Sequence, residues 1–504
     1  MHEKGKMKMR ANAVVFGEEN CYTYLVKLYD GEGMDKMKLS QKIDKYNSRP
    51  IGKTDWILLG IMGVFIYLTI FYADLIIIHD HSLTFLDSLF HGDISNFYGN
   101  TMKKPSYGFG AVYYWIPYLI QGVWSLPIYI LNKLIHFAPD GVKAYLWIKL
   151  GICLVLLLAT WLIGRILSDF EIGKEKIRFA QFMFLSSVLV MLPVVAISQI
   201  DIIALTLMLF GIREYVQSDK ITWKFLLIFS FAAAAKTFAL FLFLPLVFLK
   251  EKRTLYVIWD IFVGFWFILI CVIPYAWRED YKESTAVLND VMIERLFGTQ
   301  FPAGNVNIPI FAALLIAICI WCYMQNITEK RQLFATVMWV GLFAYAAFFI
   351  FVFAHPYWIV LIVPFMILLL TLNGQQRKIN MLLELILSVA VMFVYHTKFG
   401  VFMTETNIEL MVLPKLGLKP NGTGFAQSSE WIVEHGLDFY APAVFAVFAV
   451  CLIAFLVINR PSRLIEGWNE EGNETIRFDH GMIAARLAVI LFYIFGVLYF
   501  SYWG

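Results

Sequence analysis

Ionisable side chains interrupt or border apolar stretches at several places along this chain of 504 residues. Asp80 lies between His79 and His81 at the end of one such stretch, Asp87 follows shortly after, and Lys236 interrupts another stretch. A charge at membrane depth costs free energy, so a charged residue in such a place is by default a candidate functional residue. Carboxylates there could accept a proton from a substrate, and cations could stabilise a developing negative charge.

Three further polar segments complete the set of candidate residues. Gln199 and Asp201 lie in a short segment between two apolar stretches, and Arg278 begins a polar segment. His355 and Tyr357 belong to a His-Pro-Tyr-Trp segment between two other apolar stretches. These residues can act together only if the fold brings their segments to one side of the molecule. Whether it does depends on which apolar runs cross the membrane and in which direction.

The composition indicates a membrane protein. The chain is 60% hydrophobic and 16% charged, whereas soluble domains carry about 25% charged residues. The apolar runs at 56–78, 145–163 and 254–275 are long enough to cross a bilayer. A soluble enzyme is therefore excluded, and the net charge of +3 is too small to indicate a nucleic-acid partner.

Basic residues predict the orientation of the spans. Lys and Arg cluster in short segments between apolar runs, and such segments are typically cytoplasmic. This rule predicts a cytoplasmic N-terminal tail at 1–55 and a transmembrane module at 56–504. The fold class is then all-α, a polytopic helical bundle of about thirteen spans, with the polar candidate residues on the extracytoplasmic side.

Two regions do not fit simple crossings. Both ends of residues 80–143 must lie on the extracytoplasmic side, so this region does not cross the membrane. Its aromatic, proline-containing stretch favours the headgroup zone, which predicts an outer loop with interfacial helices. Residues 225–249 have basic segments at both ends, which favours a hairpin of two short helices that turns near Lys236; one long tilted helix is the alternative. A second outer loop is predicted at 396–439.

Each candidate also has a purely structural interpretation. Asp80 can be solvated beyond a helix end, Asp87 or Asp201 can cap a helix, and Lys236 can extend its ammonium group to the interface. His79 and His81 have metal-binding side chains, but a metal site needs further ligands, so a divalent metal is not favoured.

A series of short features follows a recognisable order along residues 56–400. Its members are Asp80 at the end of an apolar run, the segment 81–87 followed by Gly92, Phe97 and Tyr98, the aromatic stretch 113–127, Gln199 with Asp201, Lys236 followed by Pro245, and the segment 355–358. In the order of these features, and in their predicted placement on the extracytoplasmic side, the chain resembles the GT-C superfamily of membrane glycosyltransferases. Within that superfamily it resembles the mannosyltransferase-like branch of bacterial cell-surface polysaccharide proteins.

The resemblance implies a GT-C-like fold in a bacterial plasma membrane and transfer of a sugar from a polyprenyl-phosphate donor to a glycan or lipid-linked acceptor. It implies Asp80 as the base, Asp87 as the second choice, and inversion at the anomeric carbon. Lys236, Arg278 and His355 would bind the donor phosphate, without a cofactor. The supporting residues would be His79, His81, Gln199, Asp201 and Tyr357.

Two other functional classes stay open. A transporter or flippase of lipid-linked saccharides would distribute polar groups along a path through the bilayer, whereas here they gather on one side. A polysaccharide polymerase or ligase would use arginines of a large outer loop, and the segment 278–307 contains Arg278 and Arg295.

Overall fold

A computed structural model describes residues 50–397, 408–409, 412–419, 426–470 and 480–503. Most of the predicted cytoplasmic tail (1–55) and much of the predicted outer loop (396–439) lie outside the described residues. All statements about the fold below refer to the part of the chain that the structure describes.

The described chain is 80% helical with few strands, which confirms the all-α prediction. The first twelve helices are α1 (Lys53–Thr69), α2 (Ala73–Phe90), α3 (Phe97–Lys103), α4 (Trp115–Ile135), α5 (Val142–Asp169), α6 (Lys174–Leu185), α7 (Val188–Ala196), α8 (Asp201–Gln217), α9 (Trp223–Ala235), α10 (Leu240–Lys250), α11 (Thr254–Gly264) and α12 (Trp266–Tyr275).

The second half of the bundle holds nine more helices and most of the few strands. The helices are α13 (Glu279–Gly298), α14 (Ile310–Met324), α15 (Lys330–Phe351), α16 (Pro356–Leu372), α17 (Arg377–Thr397), α18 (Ala426–Glu434), α19 (Leu437–Ile458), α20 (Pro461–Glu470) and α21 (His480–Tyr502). The short strands are β1 (Phe71–Tyr72), β2 (Gln300–Ala303), β3 (Val306–Pro309) and β4 (Ile408–Glu409).

Four of the described helices, α5, α15, α19 and α21, are long and apolar enough to cross a membrane. The number rises to six if α6 with α7 and α11 with α12 each form one span, bent by 58° and 44° respectively. The helices α9, α10, α14 and α16 are apolar but shorter. The predicted count of about thirteen spans therefore stays a prediction, while the helical bundle with membrane-spanning candidates is confirmed.

Large apolar side chains are exposed along the outside of the bundle. Val450 is 62% exposed on α19, and Phe492 and Phe495 are 73% and 64% exposed on α21. Soluble monomers rarely expose apolar patches of this extent. The centre, by contrast, is packed around α15, which contacts α14, α16, α19 and α20. The arrangement suits a bundle whose outer surface faces lipid.

The first apolar run is not one helix, which corrects the predicted span at 56–78. Helix α1 ends at Thr69, β1 pairs with β4 in antiparallel fashion, and α2 begins at Ala73. The buried ammonium of Lys149 on α5 donates to the carbonyls of Ile66, at 3.4 Å, and Ile70, at 2.5 Å. The break is possible because strand pairing and a lysine satisfy backbone groups that a helix would otherwise satisfy itself.

The predicted hairpin at Lys236 is confirmed. Helix α9 ends at Ala235, Lys236 is extended, and the chain turns back through a short 3₁₀ segment into α10. The ring of Phe243 on α10 lies 5.8 Å from that of Phe225 and 5.7 Å from that of Phe229, both on α9. One straight helix would hold Phe225 and Phe243 about 27 Å apart.

The predicted interfacial region at 80–143 is built from α2, α3 and α4, none of which is a membrane-span candidate. Helix α4 exposes Val123, Leu134 and Ile135 on its outer side. Its inner side is fixed to α5 by Trp124 and Trp147, whose stacked indoles each donate a hydrogen bond to the other residue's carbonyl. An amphipathic helix of this kind suits a membrane surface.

The predicted polar loop at 278–307 contains a helix of 20 residues, α13, followed by the β2–β3 hairpin. Helix α13 is fixed over the segment 97–111. Asp280 accepts a hydrogen bond from the backbone N–H of Gly99 at 3.1 Å, and Ser284 donates to the carbonyl of Ala111 at 2.7 Å. A Cβ added at Gly99 would come within 2.8 Å of the Asp280 carboxylate, so glycine permits this close approach.

Candidate functional site

The structure brings four of the predicted site residues together with one that was not predicted. They form what we call the central polar cluster: Asp74, Gln199, Asp201, Lys236 and Tyr357. Every member lies at a helix end or break: near the start of α2, just before and at the start of α8, between α9 and α10, and at the start of α16. These helix ends and breaks therefore converge on one point, although only the break at Lys236 was predicted within an apolar run.

Lys236 lies at the centre of the cluster. Its Nζ is 2.9 Å from Oδ1 of Asp201, and the side chains of the lysine and the aspartate are only 6% and 0% exposed. The ammonium also lies 4.9 Å from the ring centroid of Tyr113 and 5.0 Å from that of Trp358. Carboxylate and aromatic faces together stabilise a cation that has lost most of its water.

Asp74 supplies the carboxylate that the sequence-based prediction missed. Gln199 donates a hydrogen bond to its Oδ2 at 2.5 Å, and the phenol of Tyr357 hydrogen-bonds to it as well. Unlike Asp201, which is fully buried, Asp74 keeps part of its surface exposed. A signal was present in the sequence, because Asp74 is an acid inside an apolar run, where acids are by default functional candidates.

Three buried nitrogen donors near the cluster have no hydrogen-bond partner among the described residues. They are Nζ of Lys236, Nε1 of Trp358 and Nη1 of Arg295. Nζ of Lys236 contacts Asp201 at ion-pair distance but without well-directed hydrogen-bond geometry. Arg295 belongs to α13, and it interacts electrostatically with His355 and Tyr357. Since buried donors are normally hydrogen-bonded, the free donors of Trp358 and Arg295, next to an ammonium whose only polar contact among the described residues is its ion pair with Asp201, favour an anionic ligand at this place.

A cavity of about 370 Å³ opens beside these donors. One wall is the turn at Lys236 with Trp358, a second is the segment with Tyr113, and the third is an apolar face of α13. That face presents Leu288, Met292, Ile293 and Leu296. The cavity thus combines cationic and hydrogen-bonding groups at one end with an apolar wall, as a ligand with a charged head and an apolar tail requires.

The predicted catalytic residues Asp80 and Asp87 lie on α2, away from the central polar cluster. Asp80 accepts a hydrogen bond from Ser106 at 2.6 Å, and burial raises the pKa of its carboxyl. Asp87 is more exposed and pairs with Lys133 at 2.9 Å. Neither aspartate contacts the cluster within the described residues.

The other two predicted phosphate ligands have different surroundings. Arg278 donates to Asp280 and to the side-chain oxygen of Asn96, so its guanidinium joins α13 to the segment before α3. His355 lies at the cluster: its ring stacks on Tyr357 at a centroid distance of 5.2 Å and meets Trp358 edge-on at 4.7 Å.

The predicted supporting residues His79 and His81 are fully buried. Nε2 of His79 lies 2.9 Å from the carbonyl oxygen of Pro139, and the ring of His81 packs edge-on against Tyr118. Burial lowers the pKa of each imidazole to about 4, so both are neutral at pH 7. No group of three or more His, Cys, Asp or Glu that could hold a metal ion occurs in the described part of the chain.

Comparison with protein-family models, with curated proteins and with solved structures finds no match for this chain.

Proposed function

We propose that this protein is an integral membrane glycosyltransferase that transfers a sugar from a polyprenyl-phosphate donor to a glycan or lipid-linked acceptor on the extracytoplasmic side. The observation that supports it best is that the ammonium of Lys236 lies near the carboxylate of Asp74 at one end of the cavity, with free donors of Trp358 and Arg295 close to the cluster. An anion site next to a carboxylate matches the two charges that such a transfer must manage.

Asp74 is the base in this proposal, in place of Asp80. Its carboxylate takes the proton of the acceptor hydroxyl while that oxygen attacks the anomeric carbon of the donor sugar. The bond between this carbon and the phosphate oxygen breaks, its electron pair leaves with the polyprenyl phosphate, and the anomeric configuration inverts. Gln199 and Tyr357 hold the carboxylate in one orientation through their hydrogen bonds. A well-placed base accelerates such a step by about a hundredfold to ten-thousandfold.

Lys236 and Arg295 receive the negative charge that develops on the departing phosphate. Among the described residues, Arg295 has a buried donor atom with no hydrogen-bond partner, and Lys236 has only its ion pair with Asp201. Fixed cations in a site that excludes water stabilise such charge without reorganising during the reaction. His355 packs edge-on against Trp358, whose ring in turn faces the ammonium of Lys236 and helps to hold it in place. Asp201 positions Lys236 rather than contacting the substrate.

The apolar face of α13 suits the first isoprene units of the donor. Leu288, Met292 and Leu296 line the cavity, and Ile293 lines it while remaining 57% exposed, so the apolar surface continues from the cavity to the outside of the bundle. A lipid-linked donor could enter along this surface without its chain crossing water.

A second candidate is a polysaccharide polymerase or ligase, which is favoured by one observation. Arg295, an arginine of the outer segment between α12 and α14, lies at the cluster. The same groups would then release a polyprenyl diphosphate, whose larger negative charge Lys236 and Arg295 would share.

Purified full-length protein in lipid nanodiscs tests the two candidates together. It is incubated with an acceptor extract and either radiolabelled polyprenyl-phosphate sugars or polyprenyl-diphosphate oligosaccharides. Transfer from the monophosphate donor supports the proposed function, and transfer from the diphosphate alone supports the ligase. Movement of either intact lipid-linked saccharide across the bilayer, without formation of a glycosidic bond, would instead identify a transporter.

A further inference from the structure

A second cavity, of about 400 Å³, lies at the far end of α2, between α2, α3 and α4. Its lining is mostly polar. The residues are Leu83, Thr84, Asp87, Ser88, Asn100, Lys103, Lys104, Tyr129, Asn132, Lys133 and Pro139. We call this space the lysine cavity. It shares no residue with the cavity beside Lys236.

The lysine cavity has an excess of positive charge. Three ammonium groups line it, on Lys103, Lys104 and Lys133, against the single carboxylate of Asp87. That carboxylate is already paired with Lys133 at 2.9 Å. Lys103 and Lys104 make no hydrogen bond or ion pair among the described residues. The carboxylate of Asp93, which accepts a hydrogen bond from Asn100, interacts electrostatically with Lys103, so three lysines still outnumber two carboxylates at this cavity.

The polar wall of the cavity is fixed in shape. Asn100 donates hydrogen bonds to Ser88, at 3.2 Å, and to Asp93, at 3.0 Å. Asn132 donates to the carbonyl of Phe137 at 2.9 Å, and the hydroxyl of Tyr129 donates to Asp87 at 3.0 Å. These bonds hold the lining side chains in place before any ligand arrives, which lowers the entropic cost of binding.

The cavity lies where a membrane surface would be. Lys133 and Tyr129 belong to α4, and the neighbouring residues Leu134 and Ile135 are 73% and 65% exposed. An amphipathic helix buries such apolar residues at the boundary between headgroups and acyl chains, and its lysines then lie at the level of the headgroups. Phosphates are the anions found at that level.

The lysine cavity is distinct from the candidate catalytic site. Asp74 and Asp87 lie on the same helix, α2, thirteen residues apart in the sequence, which corresponds to about 20 Å along the helix axis. A group bound at the lysine cavity is too far from Asp74 to react there. The cavity therefore needs a function that does not depend on whether Asp74 is a base.

We propose that the lysine cavity is a second, non-catalytic site that binds a phosphate group at the extracytoplasmic surface of the membrane. Lys103 and Lys104 supply the charge. The hydroxyl of Ser88, which accepts from Asn100, and the second N–H of Asn132 supply hydrogen bonds to phosphate oxygens. The phosphate belongs either to the headgroup of an anionic phospholipid or to a water-soluble phosphate or phosphorylated saccharide. The chemistry of the site is the same for both sources.

The test uses the full-length protein and two probes. Binding of phosphatidylglycerol is measured by native mass spectrometry of the detergent-solubilised protein, and binding of inorganic phosphate by isothermal titration calorimetry. The site variant is Lys103→Gln/Lys104→Gln, which leaves the Lys133–Asp87 pair intact. The matched control is Lys143→Gln/Lys282→Gln, which removes two exposed lysines that do not line the cavity.

The proposal expects the wild type and the control to bind at least one probe with equal affinity and the site variant to bind it at least tenfold more weakly. Loss of affinity for inorganic phosphate identifies a site for phosphate as such, and loss for phosphatidylglycerol alone identifies a lipid-headgroup site. Equal affinity of the site variant and the control for both probes overturns the proposal. So does a wild-type protein that binds neither. Because Lys103 and Lys104 are exposed, the site variant should keep the wild-type melting temperature, which is measured in parallel.

Discussion

The ammonium of Lys236 and the carboxylate of Asp201 face each other at 2.9 Å in surroundings that exclude almost all water. The lysine comes from the turn between α9 and α10, and the aspartate is the first residue of α8. Desolvating two charges costs several kcal/mol per ion, and their attraction only roughly repays it. The main role of the pair is therefore to position the ammonium of Lys236, not to increase the stability of the fold.

Neutralising one partner of this pair should destabilise the fold, and neutralising both should restore most of the lost stability. Lys236→Met leaves a buried, unpaired carboxylate, at a cost of about 3–5 kcal/mol. The double variant Lys236→Met/Asp201→Asn removes that charge and should recover most of the melting temperature in detergent. It should still lack transfer activity, because the cation is gone. Recovery of both stability and activity in the double variant would assign the pair a purely structural role.

Asp74→Asn should lower the rate of sugar transfer by about a hundredfold to ten-thousandfold, the usual contribution of a general base. Asparagine keeps an oxygen that can accept from Gln199, so the melting temperature should change little. Asp80→Asn is the matched variant on the same helix, and its transfer rate should remain within twofold of wild type. The opposite pattern, with Asp80→Asn inactive and Asp74→Asn active, would favour the base predicted from the sequence.

Arg295→Gln should raise the KM for the polyprenyl-linked donor roughly tenfold to a hundredfold, since a hydrogen bond from a charged group is worth about 1.5–3 kcal/mol. Arg278→Gln offers a contrast on the same segment. Arg278 bonds to Asp280 and Asn96, so its loss should loosen α13 and lower the melting temperature with a smaller effect on KM. If Arg278→Gln raised KM more than Arg295→Gln, Arg278 would be the better phosphate ligand.

The stability of the protein should depend on the ionisation of Asp80. Burial raises the pKa of its carboxyl in the folded chain, whereas the unfolded value is about 3.9. The folded state therefore binds the Asp80 proton more tightly than the unfolded state does. The resulting contribution to the free energy of unfolding is complete below about pH 4 and is lost as the pH rises through the folded pKa.

Asp80→Asn removes that dependence and keeps an acceptor for the Ser106 hydroxyl. The melting temperature of the variant relative to wild type should therefore increase between pH 4 and pH 7, measured by differential scanning fluorimetry. Asp290→Asn, which replaces an exposed aspartate of α13, serves as the control and should show no such trend. A difference for Asp80→Asn that stays constant across this range would contradict the prediction.

The sequence predicted the part of the site that follows from charge placement. Basic segments at both ends of 225–249 favoured a hairpin over one long tilted helix, so the turn at Lys236 could be located without coordinates. Gln199, Asp201 and Tyr357 were identified for a similar reason, because each lies between two apolar runs. The structure brings these four residues into one cluster.

The missed residues depend on contacts that are distant in sequence. The break before Asp74 requires strand β4, more than 300 residues later, and the ammonium of Lys149. A single apolar run gives no indication of either contact, so the run was read as one helix. Arg295 was placed in a polar loop, because the helix that carries it is stabilised by docking on the segment 97–111 rather than by an apolar periodicity.

The break between α1 and α2 also limits how this protein can be divided. The two residues of β1 pair with residues 408–409, so the corner that orients Asp74 is completed by chain that is synthesised last among these elements. A fragment ending before residue 400 would contain every member of the central polar cluster and still lack this strand. When the chain is split between α12 and α14 and the halves are co-expressed, the break that orients Asp74 should therefore form only when both halves are present in the same membrane.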